Sequence, residues 1–257
     1  MQSGNPFKAA IAARQRQIGL WLSMADGLAA EICATAGFDW FLIDGEHAPN
    51  DLRSILAQLQ ALAAYPVEPV VRPPIGEPWV IKQLLDVGAR SLLVPMVDTA
   101  EQAREIVSMM RYPPQGIRGV GSRMARASGF GARADYIGHA NDEACLLVQI
   151  ESVAALGQIE AIAAVEGVDG LFVGPSDLAA SMGHTGNPAH PEVRAAVEDA
   201  LRRIAAVGKP AGIVAFAPED VQRFIDLDTI FVAVGADAAI LASGTRALVK
   251  QYKGEGR

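Results

Sequence analysis

The sequence predicts a closed (β/α)8 barrel, an α/β fold in one domain spanning residues 1–257, and three observations predict it. Eight short runs rich in Val, Ile, Leu and Phe recur along the 257 residues. Amphipathic stretches of helix length separate them, and no dinucleotide fingerprint follows the first run. Near-continuous apolar runs, rather than alternating ones, are what parallel strands buried on both faces require. Eight βα units in about 250 residues is the size of such a barrel. An open doubly wound sheet also alternates strand with helix, but its first strand leads into a glycine-rich phosphate turn.

The strands fall at residues 19–23, 40–44, 69–72, 91–95, 146–151, 170–174, 211–216 and 231–235. Helices are expected over 50–64, 79–88, 99–112, 153–166, 191–207 and 218–226. Several open on a capping signal: Asn50 before Asp51, Asp98 or Thr99 before Glu101, and Pro218 ahead of Glu219 and Asp220. Gly88, Gly167 and Gly208 each follow a periodic segment and precede a strand, as helix-terminating glycines do. One connection is anomalous. Residues 111–142 carry Pro113-Pro114 and six glycines before the fifth strand begins. So long an irregular segment is either a functional loop or a packed surface excursion.

Composition removes several function classes. With 51% hydrophobic and 20% charged residues, the chain is not disordered. Cys33 and Cys145 both sit inside apolar runs, so a disulfide scaffold is not expected. A net charge of −7 argues against nucleic acid and anionic membranes as partners. No apolar stretch with a cleavage signal precedes residue 17, and no segment reaches transmembrane length, so a soluble cytoplasmic protein is expected. A mean hydropathy of +0.21 reads as surface buried in an oligomer, or as the product of an alanine-rich composition alone.

In a barrel the active site lies at the C-terminal ends of the strands. There the sequence places Asp44-Gly45-Glu46-His47, Arg72, Gln149-Ile150-Glu151, Gly174-Pro175-Ser176-Asp177 and Gly235-Ala236-Asp237. Glu151 and Asp177 end successive strands, and two neighbouring carboxylates need a countercharge. A hard divalent cation would supply it, since oxygen ligands alone favour Mg2+ or Mn2+ over structural zinc. Alternatively, each carboxylate caps the helix that follows it. His47, past a strand end among carboxylates, is the candidate general base. Arg72 ends an otherwise apolar strand, so its guanidinium must find an anion, either substrate or Asp44 or Glu46. Five of the 22 basic residues are lysines (Lys8, Lys82, Lys209, Lys250, Lys253), and none ends a strand. Schiff-base catalysis is therefore disfavoured, and a metal is expected as electron sink.

The strings FDWFLIDGEHAPN (38–50), IKQLLDVG (81–88), RYPPQGIRGVGS (111–122), VQIE (148–151), VEGVDGLFVGPSD (165–177) and FVAVG (231–235) resemble the metal-dependent class II pyruvate aldolases. These are the 4-hydroxy-2-oxoheptanedioate and 2-keto-3-deoxy-sugar-acid aldolases, and the resemblance covers nearly the whole chain. It implies a (β/α)8 barrel assembled as a homohexamer with its C-terminal helix exchanged between subunits. It implies reversible cleavage of a 4-hydroxy-2-oxo acid to pyruvate and an aldehyde, with Mg2+, Mn2+ or Co2+ as cofactor. By motif, Glu151 and Asp177 would hold the metal, and Gln149 with Gly174, Pro175 and the Ser176 backbone would contact the pyruvoyl end. Arg72 would stabilise the enolate, and His47, through a metal-bound water, would move the 4-hydroxyl proton. Asp44 would support that network, and Asp86 would tune the histidine from an adjacent subunit; read without the resemblance, Asp86 is an ordinary helix-surface carboxylate. A citryl- or malyl-CoA lyase of the same superfamily and a non-catalytic binder on a retained barrel are the competing readings. Three departures stand out: Ser176 where relatives carry Ala, Asp228 where Gly is expected, and a divergent stretch at 128–133.

Overall fold

The computed structural model describes residues 4–254. Eight parallel strands close on themselves in sequence order: β1 (Gln17–Leu22), β2 (Trp40–Asp44), β3 (Glu68–Arg72), β4 (Ser91–Val94), β5 (Cys145–Ile150), β6 (Gly170–Val173), β7 (Ala211–Val214) and β8 (Phe231–Ala236). Strands β2 to β6 have no exposed residue, as near-continuous apolar runs require. The β2–β3 register sets Asp44 opposite Arg72, and the β5–β6 register sets Ile150 opposite Val173. Both registers bring charged strand ends to one rim.

Among the described residues, twelve α-helices accompany the strands: α1 (Pro6–Ala12), α2 (Gly27–Ala34), α3 (Leu52–Leu62), α4 (Pro78–Asp86), α5 (Ala100–Met110), α6 (Tyr136–Glu143), α7 (Val153–Leu156), α8 (Ile159–Ala163), α9 (Pro175–Ser181), α10 (Pro191–Ala206), α11 (Pro218–Asp226) and α12 (Asp237–Lys253). Helix α3 opens on Asp51 in a capping box with Ser54, while Asn50 turns back to donate to the Asp44 carbonyl at 2.8 Å. Thr99 caps α5 in a second box with Gln102. Gly88 and Gly208, at φ 102° and 77°, end α4 and α10 in the left-handed region, whereas Gly167, at φ 96°, lies in a turn four residues past the end of α8 rather than at its cap. Asp228 has φ 61° and pairs with Arg14. The expected glycine there is thus replaced by a residue that tolerates this conformation. The single helix expected over 153–166 is two, α7 and α8, because the chain turns at Gly157.

Two apolar layers hold the barrel. The outer one packs strand faces such as Ile43, Val71 and Val148 against Leu59, Leu84 and Ile106 of the helices. The inner one is aromatic: Phe7 of α1 enters the barrel bottom, with its ring 5.7 Å from Trp40 and 5.8 Å from Phe231. Truncating so fully buried a phenylalanine costs about 3–5 kcal/mol. Asp237 clasps the closing strands at the rim, accepting from Ser23 N and Oγ at 2.9 and 2.8 Å. Beyond Asp237, α12 has no buried residue, and Leu241, Leu248, Val249 and Tyr252 lie exposed along it.

The 111–142 excursion is anchored by a small buried cluster, Tyr112, Ala127, Tyr136 and Ala140, while Ile117, Val120, Met124 and Phe130 along it stay exposed. It joins the end of α5 to the start of β5, so it lies at the face opposite the catalytic rim. Arg118 holds it, stacked 4.4 Å from the Tyr112 ring and donating to Asp86 at 2.7 Å and Tyr136 at 3.2 Å. The divergent 128–133 stretch belongs to this lower face. Ser128 is buried there, and Arg133 pairs with Glu143 at 2.7 Å.

Candidate active site

The rim site is built on a buried arginine. Arg72 ends β3 with its side chain only 6% exposed. It grips Asp44 in a fork, Nε to Oδ1 at 2.9 Å and Nη2 to Oδ2 at 2.7 Å. Nη1 reaches Glu46 at 2.8 Å and Gln149 Oε1 at 3.4 Å. The guanidinium lies 4.9 Å from the Trp21 ring, and the Trp21 indole N–H donates to Asp44 Oδ2 at 3.0 Å. Burial pushes the Asp44 carboxyl upward, but the Arg72 and Trp21 hydrogen bonds outweigh it and hold Asp44 below the ordinary carboxylate range. Asp44 therefore stays ionised and spends Oδ1 on the backbone amides of Glu46 at 2.9 Å and His47 at 3.3 Å. That turn carries the His47 ring into the open mouth, 65% exposed, with Nε2 3.8 Å from Glu46.

Glu151 is the second centre. It is buried at the end of β5 and accepts from the Met96 amide at 2.8 Å and from Gln149 Nε2. Burial first, then Asp177 and Glu46, push its carboxyl up to about 7 against the opposing Met96 hydrogen bond and Arg72. Neither carboxylate caps a helix end: Ser152 caps α7, accepting from Ala155 at 2.9 Å, and Asp177 lies in the first turn of α9 behind Gly174. Gly174 is required by close approach. A Cβ there would sit 2.5 Å from Glu151 Oε2 and 3.1 Å from Gln149 Nε2. The amides of Ser176 and Asp177 precede the first bond of α9, Leu178 to Gly174 at 3.1 Å, and are free to bind an anion.

A cavity of about 250 Å³ joins His47, Arg72, Gln149, Gly174, Ser176 and Asp177, with Asp44 and Pro175 also in its wall. All sequence-derived site residues but one thus meet at this rim. The exception is Asp86, which ends α4 at the opposite face, paired to Arg118. Trp21 and Glu46 complete the site although sequence reasoning gave Trp21 no role and Glu46 only a possible ion pair. Trp21 was readable only as one more apolar residue in a strand.

The donor set around Glu151 suits a hard cation. It is all oxygen, and it holds a buried carboxylate crowded by two others, Asp177 and Glu46.

The fold is a closed (β/α)8 barrel with an arginine and several carboxylates gathered at the C-terminal ends of its strands, where enzymes of this fold carry their active sites. Residues 17–243 match the HpcH/HpaI aldolase/citrate lyase family, and the chain belongs to it. It is 63% identical over 253 residues to the hydroxypyruvate/pyruvate aldolase of Cupriavidus necator, covering 98% of this chain and 94% of that protein. It is 55% identical over 248 residues to the 4-hydroxy-2-oxo-heptane-1,7-dioate aldolase of Klebsiella pneumoniae, covering 96% and 94%. Among solved structures, an HpcH/HpaI aldolase/citrate lyase family protein from Burkholderia cenocepacia superposes with a TM-score of 0.93 at 41% identity, over 97% of this chain and 99% of that one. Among the described residues, no helix is long and apolar enough to cross a membrane.

Proposed function

We propose that this protein is a carbon–carbon lyase that reversibly cleaves 4-hydroxy-2-oxo acids, such as 4-hydroxy-2-oxoheptanedioate, to pyruvate and an aldehyde. The observation that carries this reading is the desolvated Arg72 beside Gln149 and Glu151, a set suited to an enolate oxygen. The name of the Cupriavidus relative extends the donor to hydroxypyruvate, which differs from pyruvate by one hydroxyl.

Glu151 and Asp177 would hold a divalent cation, Mg2+, Mn2+ or Co2+. When bound, that cation supplies a Lewis acid for the carboxylate and 2-oxo oxygens of the substrate. Gln149 and the Ser176 amide orient the pyruvoyl end, with Gly174 and Pro175 shaping the floor. Arg72 donates to the 2-oxo oxygen as negative charge grows on it, in a place where water cannot compensate. Asp44 keeps the guanidinium aimed and fixes the turn that bears His47. His47 takes the 4-hydroxyl proton in cleavage; in synthesis it helps remove a methyl proton from pyruvate. Asp86, which lies at the far face of its own barrel, would meet His47 of an adjacent subunit. The bare apolar surface of α12 supports exchange of that helix within a homohexamer. The reading places the enzyme in the cytoplasm, in the breakdown of aromatic compounds.

Glu151→Ala tests it: metal binding and pyruvate release should be lost together. A variant that still binds pyruvate with unchanged affinity would instead mark a non-catalytic binder.

A further inference from the structure

We propose that His184, His190 and Glu192 form a second cation site, built for a late first-row transition ion such as Zn2+, at the corner between α9 and α10. One ligand atom from each of the three residues lies within 4.8 Å of the other two. His184 Nε2 is 3.0 Å from Glu192 Oε2. Ligand atoms about 2.0–2.1 Å from a tetrahedral zinc stand about 3.3 Å apart, so that pair already sits near coordination distance. Two imidazoles and one carboxylate are a borderline-soft set, unlike the all-oxygen set at Glu151 and Asp177. The two sites should therefore select different ions.

The loop is organised to bring these side chains together across eight positions of sequence. His184 N–H donates to Ala179 at 2.8 Å, Asn187 to His184 at 2.9 Å, and His190 to Asn187 at 3.1 Å. Gly183 and Gly186 supply the left-handed turns at φ 86° and 76°. The imidazoles stack with centroids 3.6 Å apart and planes 16° from parallel. Stacked lone pairs run side by side, so coordination must splay the rings. Both rings are partly solvent-exposed and hang on a loop, which leaves them that freedom. The His190 Nδ1 acceptance from Glu192 N–H is long, at 3.3 Å, and water can replace it at this exposed helix start.

The position gives the ion a consequence. The same loop supplies Pro188 and Ala189 to a cavity of about 250 Å³ that shares Pro175, Ser176 and Phe216 with the active-site cavity. A bound cation would pin the loop against α10 and fix one wall between the two cavities.

The test is a Zn2+ titration by calorimetry, in excess Mg2+, on the wild-type chain, on Glu151→Gln, and on Glu151→Gln carrying His184→Ala or His190→Ala. The expected result is one Zn2+ per chain in Glu151→Gln, weakened at least tenfold by either histidine change. Glu192→Gln should weaken it as well, with the far-ultraviolet circular dichroism of every variant unchanged. No Zn2+ uptake by the folded Glu151→Gln chain would overturn the proposal, as would uptake indifferent to both histidines. Because Glu151 is already replaced, that failure is distinct from any failure of the carboxylate site.

Discussion

Replacing Arg72 by methionine separates its structural work from its chemical work. The side chain makes hydrogen bonds of 2.9 and 2.7 Å to Asp44, contacts Glu46 at 2.8 Å, and is 6% exposed. Without it, Asp44 and Glu46 remain desolvated with no cation. Breaking one partner out of a buried pair costs about 3–5 kcal/mol. That is a large share of the roughly 5–15 kcal/mol by which folded proteins are stable, but it leaves the barrel folded. Arg72→Met should therefore lower the urea midpoint at fixed protein concentration and leave the slope unchanged. Adding Asp44→Asn removes the charge that made the loss expensive, so the double variant should be more stable than the sum of the single changes, by about 1–3 kcal/mol. Both variants should fail to exchange the methyl protons of pyruvate with deuterated solvent. A stability loss below about 1 kcal/mol, strict additivity, or retained exchange would each refute the reasoning.

Gly174→Ala should fold yet bind Mn2+ about 10–100-fold more weakly, since the new methyl meets Glu151 Oε2 at 2.5 Å; isothermal titration reads this directly, and unchanged affinity would move the cation elsewhere. Glu143 gives a pH prediction. Burial raises its carboxyl, but Arg133 and the Gly4 amide outweigh burial and hold it below its ordinary 4.5. Its contribution is present at neutral pH and lost as pH falls through that lowered value, so the urea midpoint should drop more steeply between pH 5 and 3 (roughly the carboxylate range) in the wild type than in Glu143→Gln.

The strands were readable because a parallel barrel buries both faces and leaves near-continuous apolar runs. Arg72 and Asp44 were readable because a charge at the end of such a run must be used. Helix α1 was not: its seven residues carry only Phe7 and Ile11 as buried anchors, too little periodicity to register, although they seal the barrel. Trp21 was hidden for the opposite reason, since an aromatic in a strand reads as core until its indole N–H is seen on Asp44. The 111–142 excursion kept both its readings open because glycines and prolines mark irregularity without saying which end of a barrel carries it. Only the topology places it below, with Asp86 and Arg118. The approach of His184 to His190 leaves no mark in the sequence, because it depends on turns at Gly183 and Gly186.

Metal dependence is the sharpest mark of the aldol chemistry proposed for the Arg72–Glu151 rim. Pyruvate release from racemic 4-hydroxy-2-oxoheptanedioate should be followed with protein stripped by EDTA, and again after Mg2+ or Mn2+ is restored. The stripped protein should be silent, and activity should return on restoration. Equal activity in both conditions would contradict it, as would silence in both with the barrel folded and the metal bound.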